Sequence, residues 1–426
     1  MRRAWIGAVL AAGASLALAA CGGGTSNGGS PTASDVGVTK DTITLGATVP
    51  LSGADAAYGT IAKASEAYFK YINAHGGVNG RKINYIYLDD AYNPAQTVPL
   101  TKQLVEQDQV FATFGGLGTQ DQTSVQQYLN AKKVPQVFVA TGATTFSAGE
   151  SADGTKYPYT FGWQPVYQGE AYIYAKYLLQ HSPDAKIGVI YQNDDYGQDY
   201  LNGLKKGLGG KANSMIVDTQ NNDATAADLS AQIVHLKASG ADTFMIFETP
   251  KPSIISLVTA NAIGWHPTIY LNSVSSPVTY VKIAQAAAKD PAAVNGLLTV
   301  SYFKDILQPQ YATDQGVNLY KQVMAQYYPA GNVDDGFNVY GMATAWSMVD
   351  ALKKAGTNPT RASLIDALNH LYEPNNPFLL PGIKIQNSPN NHYTITQEEI
   401  WKYDAGTGDY TTVSGLIDFR GKVKFP

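Results

Sequence analysis

The chain has 426 residues, is 44% hydrophobic and 15% charged, and carries a formal net charge of −4. A single cysteine, Cys21, excludes a disulfide framework, a cysteine zinc site and a cysteine nucleophile in the body of the chain. Lys and Arg (30) against Asp and Glu (34) form no basic stripe, so nucleic acid is not an expected partner.

Read in chain order, Arg2 and Arg3 precede a short apolar run that ends in "LAAC" at Cys21. The run is too short for a transmembrane span and its basic start fits a secretory signal. Its ending resembles the lipobox of bacterial lipoproteins, which implies cleavage before Cys21 and lipidation of that residue. We therefore expect a signal peptide over 1–20. A Gly/Ser-rich tether is expected over 21–39, where "GGGTSNGGSPTASD" lacks apolar residues. Roughly 390 residues remain, enough for two domains of typical size.

The body alternates strand and helix. "ITLGATV" reads as a strand and "TIAKASEAYFKYINAHGG" as a helix with Ile61, Ala64, Tyr68, Tyr71 and Ile72 on one face. "INYIYLDD" is a strand. "AQTVPLTKQLVEQ" is a helix in which Pro99 is tolerable only in the first turn. "QVFATF", "TSVQQYLNAKK" and "VPQVFVA" read as strand, helix and strand. After a crossover at "YPYTFGWQP" (157–165) the series restarts. "EAYIYAKYLLQ", "YGQDYLNGLKKGL", "ATAADLSAQIVHLKAS" and "PSIISLVTANAIG" are helices. The strands between and after them are "KIGVIYQ", "NSMIVDT", "DTFMIF" and "TIYLN". Such alternation implies right-handed βαβ units, and two series imply two doubly wound parallel-sheet lobes. Ligands of open α/β sheets sit beyond the carboxyl ends of the strands. Further on, "DGFNVYGMATAWSMVDALKKAG" reads as a long helix and "RASLIDALNHL" as a shorter one. "VSGLIDFRGKVKFP" has no assignable place.

Several chemistries lack their residues. No P-loop and no GxSxG elbow occurs. The stretch "ATFGGLGTQ" (112–120) lacks the third glycine of a dinucleotide fingerprint. Six scattered histidines include no HExxH, and Asp89-Asp90 and Asp194-Asp195 point to opposite faces if on strands. No enzyme activity, cofactor or metal is expected. The 28 tyrosines pair an apolar ring with a hydroxyl, which suits a small-molecule cleft.

"PLSGADAAYG", "INAHGGVNGRKI" and "DDAYNPAQ" follow one another, and "VPQVFVATGATTF", "AKIGVIYQNDDYGQDYLNGLKKGLG" and "GADTFMIFETP" come later. In this order they resemble the type I periplasmic binding proteins of the branched-chain amino acid class, over roughly residues 42–400. The resemblance implies a fold of two doubly wound lobes joined by a three-segment hinge. Residues 40–160 plus 301–397 would form the N-terminal lobe, and 161–300 plus 398–426 the C-terminal one. It implies a monomeric, lipid-anchored extracytoplasmic receptor that closes on a small-molecule ligand and offers it to an ABC importer permease. The alternative is a sensor that signals to a membrane partner.

Carried over residue by residue, Leu117, Gly118 and Thr119 would hold the ligand's carboxylate at a helix N-terminus. Gly142, Ala143 and Thr144 would form a second contact. Tyr58 and Tyr196 would cover the ligand from the two lobes, and Tyr92 would narrow the pocket. The family's acidic partner of an α-ammonium falls at Ser273, which is not acidic, and a second-lobe aromatic falls at Thr249. Either Glu248 then takes over that role or the ligand has no α-amine, and an uncompensated Glu248 facing the cleft would have a raised pKa.

Overall fold

A computed structural model describes residues 35–147 and 156–422. The signal peptide, Cys21 and most of the tether therefore lie outside the described residues.

Five parallel strands form the first sheet in the order β2-β1-β3-β4-β5. They are β1 (Thr42–Val49), β2 (Lys82–Asp89), β3 (Ala112–Phe114), β4 (Gln136–Val139) and β5 (Thr160–Gly162). Helices α1 (Gly59–Ala74), α2 (Pro94–Glu106) and α3 (Thr119–Ala131) connect them. Thr160–Gly162 belongs to this sheet, although its sequence reads as part of a crossover.

The second sheet repeats the pattern. β6 (Ile187–Gln192), β7 (Ile216–Asn222), β8 (Thr243–Phe247), β9 (Thr268–Leu271) and β10 (Leu298–Ser301) run parallel in the order β7-β6-β8-β9-β10. Around them lie α4 (Tyr167–His181), α5 (Asp195–Leu208), α6 (Ala212–Met215), α7 (Ser230–Ala238), α8 (Pro250–Ala262) and α9 (Val278–Ala288). The chain then builds α10 (Gln315–Tyr327), α11 (Gly336–Lys354), α12 (Arg361–Asn369) and a small hairpin of β11 (Tyr372–Glu373) with β12 (Ile385–Gln386). It returns to the second sheet as β13 (Gln397–Asp404), antiparallel to β10, with β14 (Asp409–Thr412) and β15 (Ile417–Asp418) on β13.

Central strands are apolar throughout because helices cover both faces of a parallel sheet. Every residue of β6 and β8 is buried. On α1, Ile61, Ala64 and Tyr68 are buried as the periodicity requires, and the helix packs on α11, where the Ser65 hydroxyl donates to the Gly341 carbonyl at 2.8 Å. No helix among the described residues is long and apolar enough to cross a membrane.

Three local readings change. Pro99 lies in the second turn of α2, because the helix starts at Pro94, capped by the Asn93 side chain. The position is exposed, so the carbonyl that Pro99 leaves without an N–H faces water. Helix α7 starts at Ser230, six residues later than the pattern implies. Asp228 takes both the Ser230 N–H (2.9 Å) and its hydroxyl (2.6 Å), which ends the preceding turn. The unassigned C-terminal stretch returns as β15, and its Phe419 is buried against Gly169 of α4.

Candidate functional site

Strand order reverses between β1 and β3 in one sheet and between β6 and β8 in the other. Loops beyond the carboxyl ends of both sheets line one cleft enclosing about 1080 Å³ of empty space, part of it open to solvent. That is where open α/β sheets place ligands.

On the first sheet's side, Gly118 caps α3 with φ of 102°, a conformation that glycine adopts without strain. This turn sets Thr119 at the first helical position, buried, with its Oγ1 2.7 Å from Oγ1 of Thr141 after β4. Thr141 also accepts the Ala143 N–H at 3.1 Å. The first-turn N–H groups of α3 have no carbonyl partner within the helix, so the Thr119–Thr141 pair lies at the positive end of the helix dipole, beside the Asp121 carboxylate that takes its own backbone N–H. Asp121, in the first turn, is buried, and burial followed by the charge of Asp90 pushes its carboxyl up to about 7. The Thr97 hydroxyl lies 2.9 Å from Asp90 Oδ2 and 3.0 Å from Asp121 Oδ1, and its one proton serves one of them. Asp55 is buried beside Thr249 and Asp194, and burial pushes its carboxyl up to about 6.

Tyr196 faces this corner from α5, whose cap Asp194 accepts the Tyr196 N–H at 3.0 Å. The Tyr196 hydroxyl accepts from Asn272 Nδ2, which leaves its own proton for donation. Its ring stands edge-on to Tyr167 at 4.8 Å and to Tyr200 at 5.4 Å. Tyr58 spans the cleft, its hydroxyl donating to the Val274 carbonyl at 3.3 Å.

Ser273 follows β9. Its N–H donates to Glu170 Oε1 at 2.8 Å and its hydroxyl to Glu170 Oε2 at 2.6 Å. Tyr174 and Tyr200 donate to the same carboxylate, each at 2.9 Å. Burial raises the Glu170 carboxyl, and burial followed by the Glu170 charge raises that of neighbouring Glu398.

Of the residues expected to bind ligand, Tyr58, Leu117, Gly118, Thr119, Tyr196, Thr249 and Ser273 line this cleft, together with Tyr92. Four do not. Gly142 packs against Tyr167 and the Pro165 carbonyl, and Ala143 is buried behind Thr141. Thr144 donates from its N–H (2.6 Å) and hydroxyl (3.0 Å) to Asp199 Oδ2 of α5, joining the two sheets' layers rather than facing a ligand. Glu248 is fully buried beneath the wall, accepts from Asn222 Nδ2 at 3.2 Å, and burial holds its carboxyl well above the usual range.

Sequence reasoning missed Thr141, Glu170 and the wall formed by Tyr302, Phe303, Phe337 and Trp401. Glu170 had a signal: it is the only acid in the otherwise uncharged stretch 157–175, "YPYTFGWQPVYQGEAYIYA". Among the described residues, no group of three His, Cys, Asp or Glu could hold a metal ion.

Residues 42–404 match the family model described as periplasmic binding protein. An amino acid binding protein of Pseudomonas aeruginosa is 24% identical over 332 residues, 75% of this chain and 81% of that protein. Leu/Ile/Val-binding protein homolog 7 of Brucella abortus is 26% identical over 241 residues, spanning 53% of this chain and 57% of that relative. Two solved structures share the fold. A fatty acid ABC transporter substrate-binding protein from Thermomonospora curvata superposes with a TM-score of 0.74 at 22% identity, covering 91% of this chain and 95% of that one. A branched chain amino acid ABC transporter protein from Thermus thermophilus with bound valine gives 0.76 at 18% identity, covering 89% and 97%.

Proposed function

This chain belongs to the periplasmic binding protein family, and from that premise we propose that it is a lipid-anchored receptor that captures a small polar-headed molecule and delivers it to an ABC importer. The family is one of extracytoplasmic binding proteins, not enzymes. In our reading the cleft closes between a lobe of residues 40–160 plus 301–397 and a lobe of residues 161–300 plus 398–426. The "LAAC" ending at Cys21 supports the anchor.

One observation carries the site assignment: the Thr119–Thr141 hydroxyl pair at the start of α3, faced by the Tyr196 hydroxyl. A helix N-terminus with two hydroxyls is a cradle for a carboxylate or amide oxygen. That chemistry is common to the amino acids and the fatty acid named for the relatives above.

The test is thermal unfolding against a panel of amino acids, carboxylates and amides. A ligand at about 100 times its Kd adds about 2.7 kcal/mol to stability, a shift of several degrees. Thr119→Val should shrink that shift. A panel in which no compound moves the transition would sink the receptor reading. Cys21→Ser should release the protein from the membrane fraction, and retention there would remove the anchor.

A further inference from the structure

A small head group uses only one end of the cleft. Besides Tyr58 and Tyr196, the same cleft is lined by Tyr302, Phe303, Phe337, Tyr340, Trp401 and Tyr410. Tyr302 and Phe303 have ring centroids 4.1 Å apart, Phe303 and Tyr340 5.8 Å, and Trp401 and Tyr410 5.9 Å. Phe337 lies 4.9 Å from Tyr58, which brings an aromatic contact to the head end.

Two polar tips along this wall are engaged by the protein itself, whereas the buried Tyr340 hydroxyl has no partner among the described residues. The Tyr410 hydroxyl donates to the Ser276 carbonyl at 2.7 Å. The Lys304 ammonium reaches Asp314 at 2.8 Å and the Pro377 carbonyl at 2.9 Å, which leaves its stem on the cleft. Val278, Val300 and Ile306 add aliphatic surface. Asp305 and Asp334 also border the space. The Asp305 carboxylate accepts the Leu307 N–H at 2.9 Å.

We propose that the ligand is a monocarboxylic acid with an extended hydrocarbon body, its head at Thr119 and Thr141 and its body running past Tyr58 toward Trp401. The proposal rests on this cleft being the ligand site and names what the site selects. Aromatic faces and branched aliphatic groups form a surface that rewards each added methylene, whereas a free valine or leucine would leave the far end unused.

The experiment is calorimetric titration of the mature chain with butyrate, hexanoate, octanoate and decanoate, beside valine and leucine. Each buried methylene should tighten binding about fourfold, so decanoate binds far more tightly than butyrate. Thr119→Val should weaken the whole series by one common factor. Val278→Trp, which fills the far end, should flatten the gain between the longer acids, with its unliganded melting curve reporting that it folds. Binding by valine or leucine with no gain along the carboxylate series overturns the proposal and leaves the receptor reading standing. Unchanged chain-length increments in a folded Val278→Trp protein overturn it too, because the body then lies elsewhere. Silence from every probe, amino acids included, removes the proposal together with the receptor reading.

Discussion

Asp121→Asn should stabilise the protein at neutral pH, and the gain should vanish in acid. In the folded chain the Asp121 carboxyl is buried, stands near Asp90 and is pushed from 3.8 up to about 7. Both acids compete for the single Thr97 hydroxyl. Below the unfolded value the group is protonated in both states and costs nothing. Between that value and about 7 the native state retains a proton that the unfolded state has released, so stability falls as pH rises through this window and levels off above it. At about 1.4 kcal/mol per pH unit the full cost is about 4 kcal/mol, and local relaxation reduces it to an expected ~2 kcal/mol. Asparagine keeps the shape without the charge. Urea unfolding of both proteins from pH 4.5 to 8.5 reads the difference directly. Contributions shared by both proteins, such as the His392 titration, cancel. A difference that stays constant with pH, or one that favours wild type as pH rises, would refute the burial argument.

Other outcomes follow from named contacts. Gly142→Ala places a Cβ 2.5 Å from the Pro165 carbonyl oxygen and 2.7 Å from the Tyr167 ring, and should cost about 1–3 kcal/mol by urea unfolding. An unaltered midpoint would remove the close approach as the reason for glycine there. Asp199→Asn weakens the bonds to Thr144 between the two layers. It should loosen ligand binding on the order of tenfold and enlarge the liganded radius of gyration by X-ray scattering. Unchanged affinity and size would show that these bonds do not hold the cleft shut. His392, stacked 4.0 Å from Phe161 with its Nδ1 3.0 Å from the Thr160 carbonyl, is held neutral by burial, which lowers its pKa to about 4. Its depressed value means stability is lost as pH falls from about 6.5 toward 4. An NMR titration should place its midpoint near 4, and a midpoint near 6.5 would contradict the burial.

The βα alternation was legible because central parallel strands are apolar runs and their helices keep one apolar face. It gave out after Leu271. There α9 begins without a side-chain cap, and β10 is four residues long. Strand β13 falls in "LPGIKIQNSPNNHYTITQEEIWKYDAGTGDY", which reads as late strands with a crossover near Ile400, but no local pattern announces its antiparallel pairing with β10 and β14. Thr119 could be found because a glycine-rich turn opens a helix at its own position. Thr141 could not, since a threonine ending a strand has no distinguishing neighbour. Trp401 and Tyr410 reach the cleft only because the chain returns to the second sheet after some hundred residues elsewhere, a matter of topology rather than local sequence.

Ser273 offers a last consequence. Both of its donors point inward at Glu170, so toward the cleft its hydroxyl shows only lone pairs. If the cleft is the ligand site, as proposed, this part of its wall would work as a polarity filter. It would accept a hydrogen-bond donor and repel a second carboxylate. The orientation of one proton, set by Glu170 behind the wall, would then turn a dicarboxylate away.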